Sequence, residues 1–333
     1  MRAVQVVRFG GPEVLVPGDV PEPVAGDGQV LIDVAVADVL FLDAQLRSGW
    51  GIEWFRITPP YVAGNGVAGT VSAVGSSVDP ELVGRRVLAR VGTRTGGVQV
   101  PTGGYAERAV APATELVEVP DGLDFRDAIG FLHDGTTALG LLHHAAVAPG
   151  ERVLVTAAGG SLGALLVPLL SAAGGRVVGA ARGERKLALV REWGADHVVD
   201  YTDPGWADQV RELVGGVDVV FDGAGGGLGE AAFELVAPGG RFLSYGAAAG
   251  TFPTIDPAVA SEREVRVLGM LDLSYDPAQT AEDLRGLLAE AAAGRVRSFV
   301  GQTFPLERAT DAHAAIEARE TVGKTVLEVK ERD

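Results

Sequence analysis

Following Thr156 the chain reads Ala157-Ala158-Gly159-Gly160-Ser161-Leu162-Gly163, and Ala158-x-Gly160-x-x-Gly163 is a spacing with a chemical use. Placed between a strand and a helix, such a turn brings backbone amides and the positive end of the helix dipole against a pyrophosphate. Alanine stands where the first glycine of the pattern is usual. In a chain with 47 glycines the pattern alone says little. Its context says more. Arg152 to Ala157 is an unbroken apolar strand, and Leu162, Leu165, Leu166, Leu169 and Leu170 then mark one helix face. A dinucleotide site for NAD needs an acid about 20 residues past the turn, on the tip of the second strand. That strand ends Gly179-Ala180-Ala181-Arg182, with Arg185 and Lys186 close behind and only Glu184 among them. A basic tip suits a 2′-phosphate, so NADPH is the expected cofactor; an exposed, charged helix start is the competing reading.

The elements that must position this turn fall into two rhythms. Up to about Pro120, short valine-rich segments alternate with glycine and proline, as in Val30 to Val36, Gly69 to Val74, Arg86 to Val91 and Ala106 to Val110. They predict a compact, mainly antiparallel β-domain. Gly92 to Gly104 reads as a glycine-rich loop. From Arg152 the pattern is strand, helix, strand, with further strands at Arg176 to Ala181, His197 to Tyr201, Val217 to Asp222, Arg241 to Tyr245 and Glu264 to Met270. Helical stretches are expected at Lys186–Trp193, Val210–Val214 and Leu228–Val236. Six such strands make a doubly wound parallel sheet, an α/β fold. A helix at Ala278 to Ala293 and a strand at Lys324 to Val329 return to the first domain. The expected division is 1–123 with 273–333 for one domain and 124–272 for the dinucleotide-binding one.

Composition narrows the function classes. The 333 residues carry a net charge of −16, which disfavours nucleic acid and anionic membranes as partners. With no cysteine, disulfides, thiolate catalysis and cysteine-held metals are excluded. No apolar run is long enough to span a bilayer and no signal peptide opens the chain, so the expectation is a cytoplasmic enzyme acting on a small molecule.

Further segments in order and spacing carry a resemblance. They are Pro21-Glu22-Pro23 with Gly28-Gln29-Val30-Leu31, Arg47-Ser48-Gly49, Gly64-x-Gly66-x-x-Gly69, Gly103-Gly104-Tyr105-Ala106-Glu107, Gly135-Thr136-Thr137-Ala138, the turn itself, Ala237-Pro238-Gly239-Gly240 and Gly323-Lys324-Thr325-Val326-Leu327. Along essentially its whole length the chain resembles the medium-chain dehydrogenase/reductase superfamily, in its zinc-independent quinone oxidoreductase-like branch. The resemblance implies a GroES-like β-domain built from both chain ends, a Rossmann domain between them, and a cleft at their junction. It implies that Tyr201 joins Arg182 and Lys186 at the adenosine phosphate. Thr137, Gly223, Ala224, Gly246, Ala247, Met270 and Leu271 would lie near the nicotinamide. It also implies a homodimer formed through the strand Glu264 to Met270. Thr137 as a helix cap and Tyr201 as a packing residue are the plainer readings.

The departures from the family pattern bear on the chemistry. Zinc-dependent relatives place a cysteine where Leu40 stands, a histidine-glutamate pair where Asn65-Gly66 stands, and a third ligand at or beside His133. A tetrahedral zinc needs three protein ligands, and one histidine among these positions does not supply them. Hydride transfer to an already electrophilic carbon, of a quinone or an enone or enoyl group, is therefore expected rather than alcohol oxidation; an alcohol dehydrogenase and a non-catalytic NADPH-binding protein are the alternatives. His133, with Asp134 beside it, is a candidate proton donor, since imidazole titrates near neutrality, or else a histidine that orders its own linker. Asn65 and Tyr61 are further candidate donors. Trp50, Trp54 and Phe55 offer a surface for a flat, apolar substrate, with loop packing as the alternative. His143, His144, His197 and His313 read as structural.

Overall fold

The structure, a computed structural model, describes residues 1–95, 98–273 and 277–329. It divides into two compact units, Met1–His133 with Ala281–Asp333, and Asp134–Thr280.

In the first unit the strands are β1 (Arg2–Val6), β2 (Leu15–Asp19), β3 (Gln29–Val39), β4 (Tyr61–Val62), β5 (Gly66–Val74), β6 (Arg86–Arg90), β7 (Thr93–Thr95), β8 (Val98–Val100), β9 (Arg108–Pro112) and β10 (Val117–Glu118). Helices α1 (Phe41–Ser48), α2 (Ile52–Phe55) and α3 (Phe125–Leu132) accompany them. Among the described residues the largest sheet runs β10-β6-β5-β3, continues into two strands from the C-terminal part of the chain, and adds β9 on β3. Alternation explains β3: Val30, Ile32, Val34 and Val36 point inward and are buried, while Asp33 faces out. At its end the alternation gives way, and Asp38 is as buried as Ala37.

The stretch Gly92 to Gly104 departs from the expected loop. β7 and β8 pair antiparallel within it, Thr93 with Val100 and Thr95 with Val98, and residues 96–97 lie outside the described ones. Glycine richness hid two strands of three residues each, too short for alternation to register.

In the second unit come α4 (Asp134–Ala145), β11 (Arg152–Thr156), α5 (Gly163–Ala172), β12 (Arg176–Ala181), α6 (Glu184–Glu192), β13 (His197–Asp200), α7 (Trp206–Val214), β14 (Val217–Asp222), α8 (Gly226–Phe233), β15 (Val236–Ser244), α9 (Pro257–Glu262) and β16 (Arg266–Leu268). The sheet has the order β13-β12-β11-β14-β15-β16, every neighbouring pair parallel. This is the doubly wound order that reverses between β11 and β14. The helix read as reaching Val236 stops at Phe233, because Val236 pairs with Val217 and opens β15. Val153, Leu154 and Val155 are fully buried, as a strand covered on both faces requires.

The chain then passes through α10 (Pro277–Ala292) to β17 (Val300–Pro305), α11 (Ala309–Glu317) and β18 (Lys324–Glu328). β18 pairs antiparallel with β3, Val326 opposite Asp38, and parallel with β17. None of the helices among the described residues is long and apolar enough to cross a membrane.

Candidate active site

The turn between β11 and α5 is built by close approaches. A Cβ on Gly163 would lie 2.3 Å from the Ala158 carbonyl oxygen, so only glycine lets the helix start this near the strand end. A Cβ on Gly159 would lie 2.8 Å from Cβ of Lys186, whose aliphatic stem therefore crosses the turn. The positive φ falls at Ala157 (51°), one residue before the alanine that holds the first-glycine place in the spacing. Gly160 N donates back to the Ala157 carbonyl at 2.9 Å and closes the turn. Ser161, Leu162 and Gly163 then present the opening amides of α5, which have no partner within a helix. Ser161 Oγ donates to Asp134 Oδ2 at 2.5 Å, so a carboxylate stands beside those amides.

Arg182 directly follows β12, and Lys186 lies in the first turn of α6. A carboxylate is there too, and it comes from the next strand: Asp200 pairs with Ala181 in register, and its Oδ2 accepts the Gly183 N–H at 2.9 Å. Burial opposes its charge, but bonds from Thr202 and Gly183 and the nearby Arg182 charge hold its carboxyl below the usual range. Tyr201 follows directly and is partly buried against the core of this unit.

The segments at Gly223-Ala224 and Gly246-Ala247 are brought together at the ends of β14 and β15. Ala248 N donates to the Gly223 carbonyl and Ala249 N to that of Ala224. A Cβ on Gly246 would lie 2.7 Å from the Gly223 oxygen. Two residues missed from the sequence fix this shape. Asp222, fully buried, accepts from Thr156 Oγ1 (2.6 Å), Ala224 N (3.1 Å) and Gly225 N (3.2 Å), while Thr156 Oγ1 accepts from Gly223 N and Ala224 N. Burial raises the Asp222 carboxyl above its ordinary range against these bonds. Tyr245 lies over Gly223 and donates to the Thr156 carbonyl at 3.3 Å. Thr137 sits half-buried on α4. Met270 and Leu271 are exposed just past β16, Leu271 completely.

In the first unit, His133 at the end of α3 is held by both ring nitrogens. Nδ1 bonds Asp38 Oδ2 at 2.9 Å and Nε2 bonds Asn65 Oδ1 at 2.8 Å. Asn65, only 6% exposed, donates through Nδ2 to the Val91 carbonyl. Lys324 Nζ is 3.0 Å from the same Asp38 oxygen. Burial works against the Asp38 charge, yet Lys324 and His133 hold its carboxyl far below the usual range. Gly66 is needed here, since a Cβ would lie 2.4 Å from Asp38 Oδ1 and 2.8 Å from His133 Cε1. Asp38 and Lys324 were not singled out from the sequence.

Below this group lies a second buried cluster. Asp43 Oδ2 accepts the Leu40 N–H (2.8 Å) and the Tyr105 hydroxyl (3.1 Å), and the Tyr105 oxygen is 3.0 Å from His313 Nε2. Burial, then the Asp38 charge, push the Asp43 carboxyl up to about 7. Burial, then Arg47, push His313 down to about 3, so its ring is neutral. Tyr61 has its hydroxyl buried without a partner, and burial followed by the Asp43 charge raises it. Phe55 and Tyr61 pack on the small core of Leu46, Ile57 and Val100. Trp50 and Trp54 meet edge to face at 5.3 Å, and Trp54 is 63% exposed.

The residues at the family's metal positions do not fit a zinc ion. Leu40 has no donor atom, and His133 Nε2 and Asn65 Oδ1 are bonded to each other. Among the described residues no group of three histidine, cysteine or carboxylate side chains is arranged to hold a metal.

Residues 26–121 match the family described as alcohol dehydrogenase GroES-like domain, and residues 193–327 match zinc-binding dehydrogenase. The chain is 32% identical over 334 residues to a 2-haloacrylate reductase of Burkholderia sp, covering 98% of each. It is 32% identical over 333 residues to a quinone oxidoreductase of Sus scrofa, covering 98% of this chain and 97% of that one. The solved structure of mycobacterial Rv1454c complexed with NADPH superposes with a TM-score of 0.87 at 33% identity, covering 98% and 99%. The order of motifs, the GroES-like domain and the six-stranded parallel sheet thus have one explanation: the chain belongs to the medium-chain dehydrogenase/reductase superfamily, in its quinone oxidoreductase-like branch, and is an oxidoreductase.

Proposed function

We propose that this oxidoreductase transfers hydride from NADPH to a quinone or to an activated carbon–carbon double bond, without a metal. The observation that carries the reading is the direct bond between His133 Nε2 and Asn65 Oδ1. Atoms engaged with each other offer no seat for a Lewis acid on a carbonyl or an alkoxide, so the acceptor must already be electrophilic. The names of the Burkholderia and Sus scrofa relatives, a reductase of 2-haloacrylate and a quinone oxidoreductase, support acceptors of that kind. The NADPH complex of the mycobacterial neighbour supports the cofactor.

Bound NADPH supplies the hydride. The amides of Ser161, Leu162 and Gly163 and the α5 dipole neutralise its pyrophosphate. Arg182 and Lys186, with Tyr201, receive the 2′-phosphate, and the Asp200 carboxylate keeps the Gly183 amide from that role. Thr137, Gly223, Ala224, Gly246 and Ala247 line the nicotinamide end; Asp222 and Thr156 keep the last four in shape. Trp50, Trp54 and Phe55 face a flat substrate. With both ring nitrogens engaged, His133 serves to position Asn65, and the product's proton comes from water. Two copies assemble through β16, an edge strand that carries exposed Val267 and is followed by exposed Met270 and Leu271; exposed apolar surface at a sheet edge is the kind another chain covers.

The test follows NADPH oxidation by purified protein with a quinone, an enone and 2-chloroacrylate, in parallel with NADH and with a chelator. Turnover of at least one acceptor, preferring NADPH and indifferent to chelator, is expected. Equal use of NADH would remove the role of Arg182 and Lys186, and loss of activity with chelator would remove the metal-free chemistry.

A further inference from the structure

The Asn65 carboxamide has its orientation fixed from one side. Nδ2 donates to the Val91 carbonyl, which can only accept, so the oxygen faces His133. That oxygen carries no hydrogen, and the bond to His133 Nε2 exists only if Nε2 does. The same reasoning holds at the other nitrogen. Asp38 Oδ2 already takes Lys324 Nζ, and a carboxylate in that position only accepts, so Nδ1 also bears a hydrogen. Only the imidazolium form makes both bonds.

The groups around the ring come from several elements. Asp38 lies on β3 and Lys324 on β18. Arg90, on β6, donates to the carbonyl of Leu132, the residue before His133, and its charge is felt by Asp38. Asp43 on α1 is coupled to Asp38. Asp38 and Lys324 are 0% and 2% exposed, so their pairing is protected from solvent and salt.

We infer that Asp38 and Lys324 are positioning residues: together they hold His133 as a doubly protonated ring, a fixed cation whose Nε2–H pins the carboxamide of Asn65. The inference rests on the reductase reading above. A fixed positive charge is the kind of group that stabilises the negative charge gathering on an acceptor oxygen as hydride arrives. No proton leaves His133 in this role, because losing one would break a bond to Asp38 or to Asn65.

The test is a long-range 1H–15N correlation spectrum of the full-length protein labelled at histidine nitrogens, near pH 7, with His133 assigned through His133→Gln. Two protonated-type nitrogens are expected for His133. One protonated and one bare nitrogen would overturn the inference, and this result needs no variant at Asp38. In Asp38→Asn the ring is expected to lose one proton, with kcat falling by roughly 10- to 100-fold and KM for NADPH unchanged; Asp38→Glu is expected to recover part of both. A ring that loses its proton while kcat and its pH profile stay as in the wild type would overturn the positioning role. Failure of the wild-type protein to reduce any acceptor, with NADPH bound, would refute the reductase reading instead, and the spectrum would still decide the charge of the ring.

Discussion

Replacing Asp43 by Asn should make the protein more stable, by a margin that grows as pH rises from mildly acidic to neutral. Both hydrogen bonds to the Asp43 carboxylate, from Leu40 N and from Tyr105, end on Oδ2, while Oδ1 is buried with no partner. An asparagine oxygen can take over both bonds and set its amide where the orphan oxygen was. The gain comes from charge. Burial, helped by Asp38, moves this carboxyl from 3.8 to about 7 in the folded protein. Each pKa unit is worth ~1.4 kcal/mol, so the ionised form is held at a cost of up to ~4 kcal/mol. The sign follows from the folded value being the higher one: the stabilisation is complete below 3.8 and is lost as pH rises through 7. His313 titrates in the opposite sense, its contribution being present above 6.5 and lost as pH falls toward 3, but it does so equally in both proteins. Thermal unfolding of wild type and Asp43→Asn at pH 4.5, 6, 7 and 8 is the assay. A domain of this size moves by about 2–4 °C per kcal/mol, so the curves should lie within about 4 °C of each other at pH 4.5 and separate by roughly 8–16 °C at pH 8. An offset independent of pH, or a variant less stable at pH 8, would refute the reasoning.

Two further expectations concern the dinucleotide turn. Ala157 holds φ +51°, which costs an L-residue about 1–2 kcal/mol that glycine avoids; Ala157→Gly should raise the midpoint of the unit carrying the turn in calorimetry, and a lowered midpoint would show the strain to be absent. Asp134→Asn keeps an acceptor for Ser161 and removes a negative charge from beside the turn, so NADPH should bind several-fold tighter by titration calorimetry, while inorganic phosphate at the Arg182 tip is unaffected; unchanged NADPH affinity would place the carboxylate outside the field of the pyrophosphate.

What was legible in the sequence was local. Gly160 and Gly163 announce the turn because their spacing reflects backbone geometry within a few residues, and the strand and helix beside them have clear periods. Strands β11, β12 and β14, each with adjacent buried apolar residues such as Val153 to Val155, Val177 and Val178, and Val219 to Phe221, are visible for the same reason. The positive φ at Ala157 is invisible because alanine gives no sign of it. Asp200 escaped because the end of β12 was searched along its own chain, while the carboxylate reaches Gly183 from the neighbouring strand. Asp38 sits where β3 stops alternating, and nothing in Ala35-Val36-Ala37-Asp38-Val39 marks it as buried. His313 reads as one polar residue on a C-terminal helix, yet it is fully buried against Tyr105.

The residues of the first unit that escaped share a physical origin. Lys324 meets Asp38, His313 meets Tyr105, and Glu317 meets the fully buried Arg47, each pair joining the last tenth of the chain to its first third. A buried charge such as Asp38 or Arg47 is tolerable only with its partner in place, and removing one member of a buried ion pair typically costs about 3–5 kcal/mol. The polar centre of this unit therefore cannot exist until β18 has closed on β3, in the register that sets Val326 opposite Asp38. A slip of one residue would turn Lys324 to the other face of the sheet and leave Asp38 and His133 without their third member. The β18–β3 register is thus a condition for the charge state of His133, and no window of sequence short enough to read for periodicity contains both strands.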